Sequence, residues 1–229
     1  MRKLLSLLFP LAAFAVAAAA EQSNPPQPKE ASAASAAVRT VKGRVLTSSG
    51  VPPAQIKFDD DFKYIGSQDF ILYDVARAEQ HFFVDAGPDG RIRRLYWVQF
   101  EGYLPSNTHT YDYKSTQTVR VGPFDFYADS HPVPLKAASG RPDSDGARAR
   151  AFLESKGLRV AGDDILLQRL VHLVDEKRRD ELLIIYIEDL SAAGLTAADL
   201  APGGRAAERW PRMSQELLRR ALGGIKISR

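Results

Sequence analysis

Aromatic and aliphatic positions are unevenly spread along the chain. Sixteen aromatic residues fall between Phe58 and Tyr127, in a stretch punctuated by Gly66-Ser67, Gly87-Pro88-Asp89-Gly90, Pro105-Ser106-Asn107 and Gly122-Pro123. Aromatic side chains cover a pleated, half-buried surface well, and these dipeptides and clusters favour turns. The pattern predicts consecutive antiparallel strands. The clearest hairpin joins 79–85 to 91–103 through the turn at 87–90. In its second strand Ile92, Arg94, Tyr96, Val98 and Phe100 share one face, and Arg93, Leu95, Trp97, Gln99 and Glu101 share the other. Apolar bulk on both faces marks a central strand covered on both sides, or one that lines a ligand cleft on one side.

After Lys136 the texture changes. Residues 137–146 (AASGRPDSDG) read as a flexible loop, with Asp145 capping a helix over 147–156 and Gly157 ending it. Strands are expected over 165–174 and 181–190, joined by the charged turn 175–180. The six apolar residues from Leu182 to Ile187 call for burial on both faces. Thr196 and Asp199 form a capping-box variant for one short helical turn. A last helix runs from Pro211 to Leu222, stopped by Gly223-Gly224. Trp210, Met213, Leu217, Leu218 and Ala221 lie on one side of it, with Arg212, Arg219 and Arg220 opposite. The expected fold class is α+β: a mainly antiparallel sheet in the N-terminal half, then helix–strand–strand–helix, with the C-terminal helix packed on the sheet. A single domain over 38–229 is preferred, with an internal boundary at 137–146 as the alternative.

The N-terminus is patterned differently. Arg2 and Lys3 precede an apolar stretch over 4–17, and Ala18-Ala19-Ala20 supplies the small side chains that signal peptidase requires. At seventeen Ala-rich residues with a central Pro10, the segment 4–20 spans a bilayer poorly. Residues 1–20 are therefore read as a signal peptide cleaved near Ala20, which places the mature chain in the periplasm or outside the cell and not in a membrane. Residues 21–37 hold Pro, Ala, Ser, Gln and charge but no aromatic or branched aliphatic side chain. They read as a flexible linker.

Composition narrows the chemistry. The 229 residues are 45% hydrophobic and 26% charged, which excludes a wholly disordered chain. No cysteine is present, so disulfides, thiolate metal sites and cysteine nucleophiles are excluded. Loss of Arg2 and Lys3 with the leader lowers the formal net charge from +3 to +1. Basic residues then concentrate beyond Arg205. Nucleic-acid binding needs a broader basic footprint, so no nucleic-acid partner is expected.

The chain lacks G-x-S-x-G, H-E-x-x-H, a P-loop and G-x-G-x-x-G. His81, His109, His131 and His172 do not pair at metal-ligand spacings, and Asp59-Asp60-Asp61 fails the EF-hand pattern, so neither metal nor cofactor is expected. Ser130 and His131, adjacent on a strand, point apart. Among the carboxylates beside apolar strands (Glu101, Asp112, Glu188 and Asp189), Glu101 and Asp112 are the pair for an exported hydrolase.

The leading expectation is an exported, non-enzymatic binding protein. Its aromatic sheet would hold a small apolar or cyclic ligand, or an envelope partner, through Tyr96, Trp97, Phe100, Tyr103, Tyr111 and Tyr113, with Arg93 and Arg94 anchoring an acidic group. A third reading docks a structural envelope protein on lipid or protein through Arg212, Arg219 and Arg220.

Overall fold

In this computed structural model residues 38–229 are described, apart from 116, 136–140 and 161. The leader at 1–20, the linker at 21–37 and residues 137–140 of the expected loop lie outside the described residues.

Two antiparallel sheets and the last helix enclose the main core. The small sheet orders β1 (Arg39–Lys42), β2 (Val45–Ser48), β3 (Ala54–Phe58) and the C-terminal β12 (Ile225–Ser228) side by side. The large sheet comprises β4 (Lys63–Leu72), β5 (Ala76–Ala86), β6 (Arg91–Tyr103), β7 (Gln117–Val121), β8 (Phe124–Pro134), β9 (Arg159–Val160), β10 (Asp164–Leu173) and β11 (Asp180–Asp189). Its spatial order is β4-β5-β6-β11-β10-β8-β7, and β9 adds a short parallel pairing to the start of β6. β6 and β11 are hydrogen-bonded neighbours, so both halves of the sequence share one sheet.

Alternation along the strands builds two apolar layers, because successive side chains point to opposite faces. On the first face Phe83, Tyr96, Val98, Phe100, Ile184 and Tyr186 meet Leu46, Ile56 and Phe58 of the small sheet. The Phe58 and Phe83 rings stack there at 3.8 Å. Helix α3 (Trp210–Gly223) closes this layer with Leu217 and Ala221, both fully buried, while Trp210, Met213, Leu218 and Leu222 pack at its margin. On the second face Phe82, Leu95, Trp97, Ile165, Ile185 and Ile187 meet Ala149 and Leu153 of helix α1 (Asp145–Ser155). α2 (Ala197–Leu200) is the one turn closed by the Thr196–Asp199 capping box.

The antiparallel α+β class, the β5–β6 hairpin and the packing of α3 match the expectation. Three details differ. Ser144, not Asp145, caps α1: its Oγ accepts from the Ala147 N–H at 3.2 Å, and Asp145 becomes the first helical residue. Ile92 leaves the face of Tyr96, because the pairing slips by one residue between Asp85 and Ala86 and carries it to the α1 side. The small sheet has no counterpart in the expected elements.

Candidate functional site

The residues expected to form one ligand surface are divided between opposite faces of β6. Tyr96 is fully buried against the small sheet, and its hydroxyl donates to the Ala221 carbonyl at 2.7 Å. Phe100 is buried on that face too, under the Arg39 guanidinium at 3.9 Å from the ring centre. Trp97, Tyr103, Tyr111 and Tyr113 belong to the second face. This is the strand pleat at work: Tyr96 and Trp97 are consecutive, so they cannot line one wall.

Nor are Arg93 and Arg94 free to anchor a ligand. Both pair with Asp85, and Arg94 also donates to Asp61 at 2.7 Å. Asp85 is 5% exposed. Burial alone would raise its carboxyl, but the two guanidiniums outweigh that and hold it below the usual carboxylate range.

The expected basic face of α3 is largely neutralised. Arg220 grips Glu188 through two hydrogen bonds of 2.6 and 2.8 Å, and Arg212 pairs with Glu216 at 2.9 Å one turn on. Of the three arginines only Arg219 lacks an ion pair among the described residues. The helix's apolar stripe is spent inside the core. Among the described residues no helix is long and apolar enough to cross a membrane.

Glu101 and Asp112 do not come together. Asp112 is exposed and pairs with Lys114 and with Arg178 at 3.1 Å. Glu101 instead stands directly opposite Glu181 in the β6–β11 register. Directly opposed strand residues share a face, so two carboxyl groups are brought together beneath the segment 104–115. Tyr111 and Tyr113, two residues apart, both turn toward the sheet. Tyr111 Oη donates to Glu101 at 2.9 Å and Tyr113 Oη to Glu181 at 2.7 Å.

A run of side-chain amides leads to the same place. Gln68 donates to Gln80 at 2.7 Å, Gln80 donates to Gln99 at 2.8 Å, and Gln99 donates to Glu101. The Trp97 indole also donates to Gln99, at 3.1 Å. Both Glu101 oxygens therefore accept hydrogen bonds, as an ionised carboxylate does. Glu181 is 2% exposed and, among the described residues, accepts from Tyr113 alone. Burial raises Glu181 to about 8, against the Tyr113 hydrogen bond, and the Glu101 charge adds to the rise. Burial also raises Glu101, against its bonds from Tyr111 and Gln99. At neutral pH the pair thus keeps one proton between them. Both tyrosines are pushed up by burial and by the carboxylates, and stay protonated donors.

The tyrosines also stack. Tyr103 and Tyr111 lie 4.4 Å apart, Tyr111 and Tyr113 6.4 Å, and Tyr113 and Tyr127 6.3 Å, with interplanar angles of 19–27°. The separation of two between Tyr111 and Tyr113 is the one local sequence signal that they share a side of an extended segment. Glu181, eighty residues from Glu101, carried no local signal.

Farther along this face, α1 stands off the sheet and leaves an apolar cavity of about 360 Å³. Leu95, Trp97, Ile165, Leu167 and Ile187 form its floor, and Ala149 and Leu153 form part of its roof. Arg150, Glu154 and Arg159 stand among its lining residues. The Trp97 N–H is already engaged by Gln99, so its ring offers the cavity an apolar surface only. A larger groove of about 560 Å³ lies by Phe124, His172 and Arg229, but its walls are evenly polar and apolar. Among the described residues no group of three or more His, Asp or Glu side chains is placed to hold a metal ion.

No family model, no curated protein and no solved structure matches this chain.

Proposed function

We propose that the protein is an exported binding module that takes a small apolar or cyclic ligand in the cavity between Trp97 and α1. One observation carries this reading: an apolar cavity of about 360 Å³ on the sheet face opposite the main core. Ligand sites are concave, mostly apolar, and upward of about 300 Å³. At the ~30 Å³ of liquid volume taken by one water, this cavity holds roughly a dozen non-hydrogen atoms. Export rests on the leader pattern, with Arg2-Lys3, the apolar core and Ala18-Ala19-Ala20.

The test is native mass spectrometry of protein recovered from the periplasm of an expressing host. Its N-terminus should be Glu21, and an extra mass should disappear on denaturation. The bound compound, identified by that mass, should bind wild-type protein and fail to bind Trp97→Ala and Ala149→Leu. An unprocessed N-terminus would sink the export claim. Equal binding by the two variants would sink the cavity. Apo protein that quenches no Trp97 fluorescence with a panel of apolar and cyclic compounds, in a Trp210→Phe background, would sink the ligand claim.

A further inference from the structure

The segment 104–115 has no helix or strand of its own, yet it lies across a pair of acids, Glu181 buried and Glu101 half-buried. Its two ends are held differently. The N-terminal limb is fixed by the main chain: the Leu104 N–H donates to the Val75 carbonyl at 2.8 Å, and Arg179 donates to the Leu104 and His109 carbonyls at 2.9 and 2.8 Å. The limb 111–115 has fewer such anchors. The Tyr111 N–H donates to the Arg178 carbonyl at 2.8 Å and Ser115 Oγ to the Ala128 carbonyl at 2.6 Å. Its other attachments include the Asp112–Arg178 ion pair at 3.1 Å, the Tyr111 and Tyr113 hydroxyls on Glu101 and Glu181, and the ring stack.

We propose that the limb 111–115 is a pH-responsive cover, seated on the Glu101–Glu181 pair while the pair shares a proton and released when both carboxyls ionise. The surroundings dictate the direction. Beside Glu101 on β5 stands Ala78, and beside Glu181 on β10 stands Leu173, so neither outer strand offers a counter-charge in register. From α1 comes Asp145, a third acid, itself raised by burial. From β10 comes the cation Arg169, committed to Asp129 through two hydrogen bonds of 3.1 and 2.6 Å, while Arg179, 5.9 Å from the Tyr103 ring centre, is held by the Leu104 and His109 carbonyls. The Arg169 guanidinium lies 5.2 Å from the Tyr113 ring centre. Tyr103 on β6 and the two cover tyrosines are neutral. A second negative charge here meets one ionised neighbour in register, a third acid above it and, among the described residues, no ion pair to either glutamate. Hydration relieves it, and Tyr113 of the cover lies over Glu181, the more deeply buried of the two.

The sign follows from the raised carboxyl. The closed cover is favoured at acidic and neutral pH, and is lost as pH rises through about 8, where Glu181 gives up its proton. Release uncovers the carboxylates and the outward ring faces of Tyr103 and Tyr127.

Hydrogen exchange of mature protein from pH 5 to 9.5, corrected for the intrinsic rate, reads this directly. Protection of the amides in 111–115 should fall by up to about tenfold per pH unit between the ordinary glutamate value of about 4.5 and the closed-state value of about 8, and level off above it, as release linked to one proton requires, while β6 and β11 stay protected. Glu181→Gln, which keeps the Tyr113 acceptor without the charge, should hold its protection to pH 9.5. Tyr113→Phe should lower protection at every pH. Level protection in wild type, or the same loss in Glu181→Gln, overturns the proposal. Should the Gln variant fail to fold, carboxyl carbon NMR of wild-type protein decides it. Titration of one glutamate near 8 coincident with the exchange change supports the cover, and ordinary titration of every glutamate refutes it.

Discussion

The Tyr96 hydroxyl and the Ala221 carbonyl meet at 2.7 Å across 125 residues of sequence, both in the fully buried layer between the sheets. Ala221 belongs to the last turn of α3, where carbonyls have no partner further along the helix. The Arg220 carbonyl is satisfied by the Gly224 N–H, and the Ala221 carbonyl by a tyrosine from the centre of the large sheet. One hydrogen bond thus caps the helix and ties it to β6.

Tyr96→Phe keeps the ring and deletes that bond. A buried carbonyl left without a donor costs about 1–3 kcal/mol. The variant should unfold at lower urea concentration with an unchanged m value, and the Trp210 environment should report loosening of α3. A midpoint equal to wild type would mean that water replaces the hydroxyl and that the tie contributes nothing.

Asp85 makes a different prediction, because its partners keep access to solvent. Arg93 and Arg94 are 61% and 35% exposed, against 7% for the Asp85 side chain. A fully buried pair loses about 3–5 kcal/mol when one member is removed; solvent screening should reduce the cost of Asp85→Asn to about 2 kcal/mol. Because the folded-state carboxyl is held low, its contribution is present above the unfolded pKa of about 4 and is lost as pH falls further. The gap in stability between wild type and variant should therefore be full at pH 7 and shrink below pH 4. A gap that stays constant to pH 2.5 would rule out the charge as its source.

The Glu101–Glu181 pair predicts the opposite slope. With its folded pKa raised to about 8, Glu181 costs the wild-type protein nothing below about pH 4.5 and progressively more as pH rises through 8. Glu181→Gln should match wild type at pH 5 and exceed it at pH 9. Each tenfold difference in proton affinity between folded and unfolded chain is worth about 1.36 kcal/mol. A gain of a few kcal/mol is therefore the ceiling, reduced by whatever local release of the cover allows. Urea midpoints of both proteins at the two pH values test this. Parallel curves at both would show that Glu181 titrates as an ordinary glutamate.

These relationships differ in how far the chain alone displays them. The β5–β6 hairpin was legible because its turn residues, Gly87 to Gly90, and its flanking apolar runs are local. α3 was legible from its 3.6-residue stripe, and the burial of Leu217 and Ala221 follows from it. The small sheet was not: β1, β2 and β3 are four or five residues long, and its fourth strand, β12, arrives from the other end of the sequence to pair Ile227 with Ile56. The site suffered from the same non-locality. Tyr96 and Trp97 look like one aromatic cluster until the pleat sends them to opposite faces. Glu101 stands out in the sequence as a carboxylate beside an apolar strand, but its partner depends on the β6–β11 register, which no nearby residue encodes.

The cavity beneath α1 yields the most direct test of binding. Ala149 is 4% exposed and lines it from the helix. Ala149→Leu adds three carbons in an element that tolerates leucine well. If the cavity is open space, the new side chain fills it with little rearrangement, and filled cavities commonly gain about 0.5–2 kcal/mol. The helix stays docked through Leu153, and the ligand loses its room. Stability should rise while affinity for the bound compound falls at least tenfold. If the space is already taken up by side-chain relaxation in solution, the same substitution overpacks the layer and costs about 1–3 kcal/mol. The sign of the change in melting temperature therefore decides, before any ligand is known, whether Trp97 and α1 hold a site between them or merely an imperfect joint.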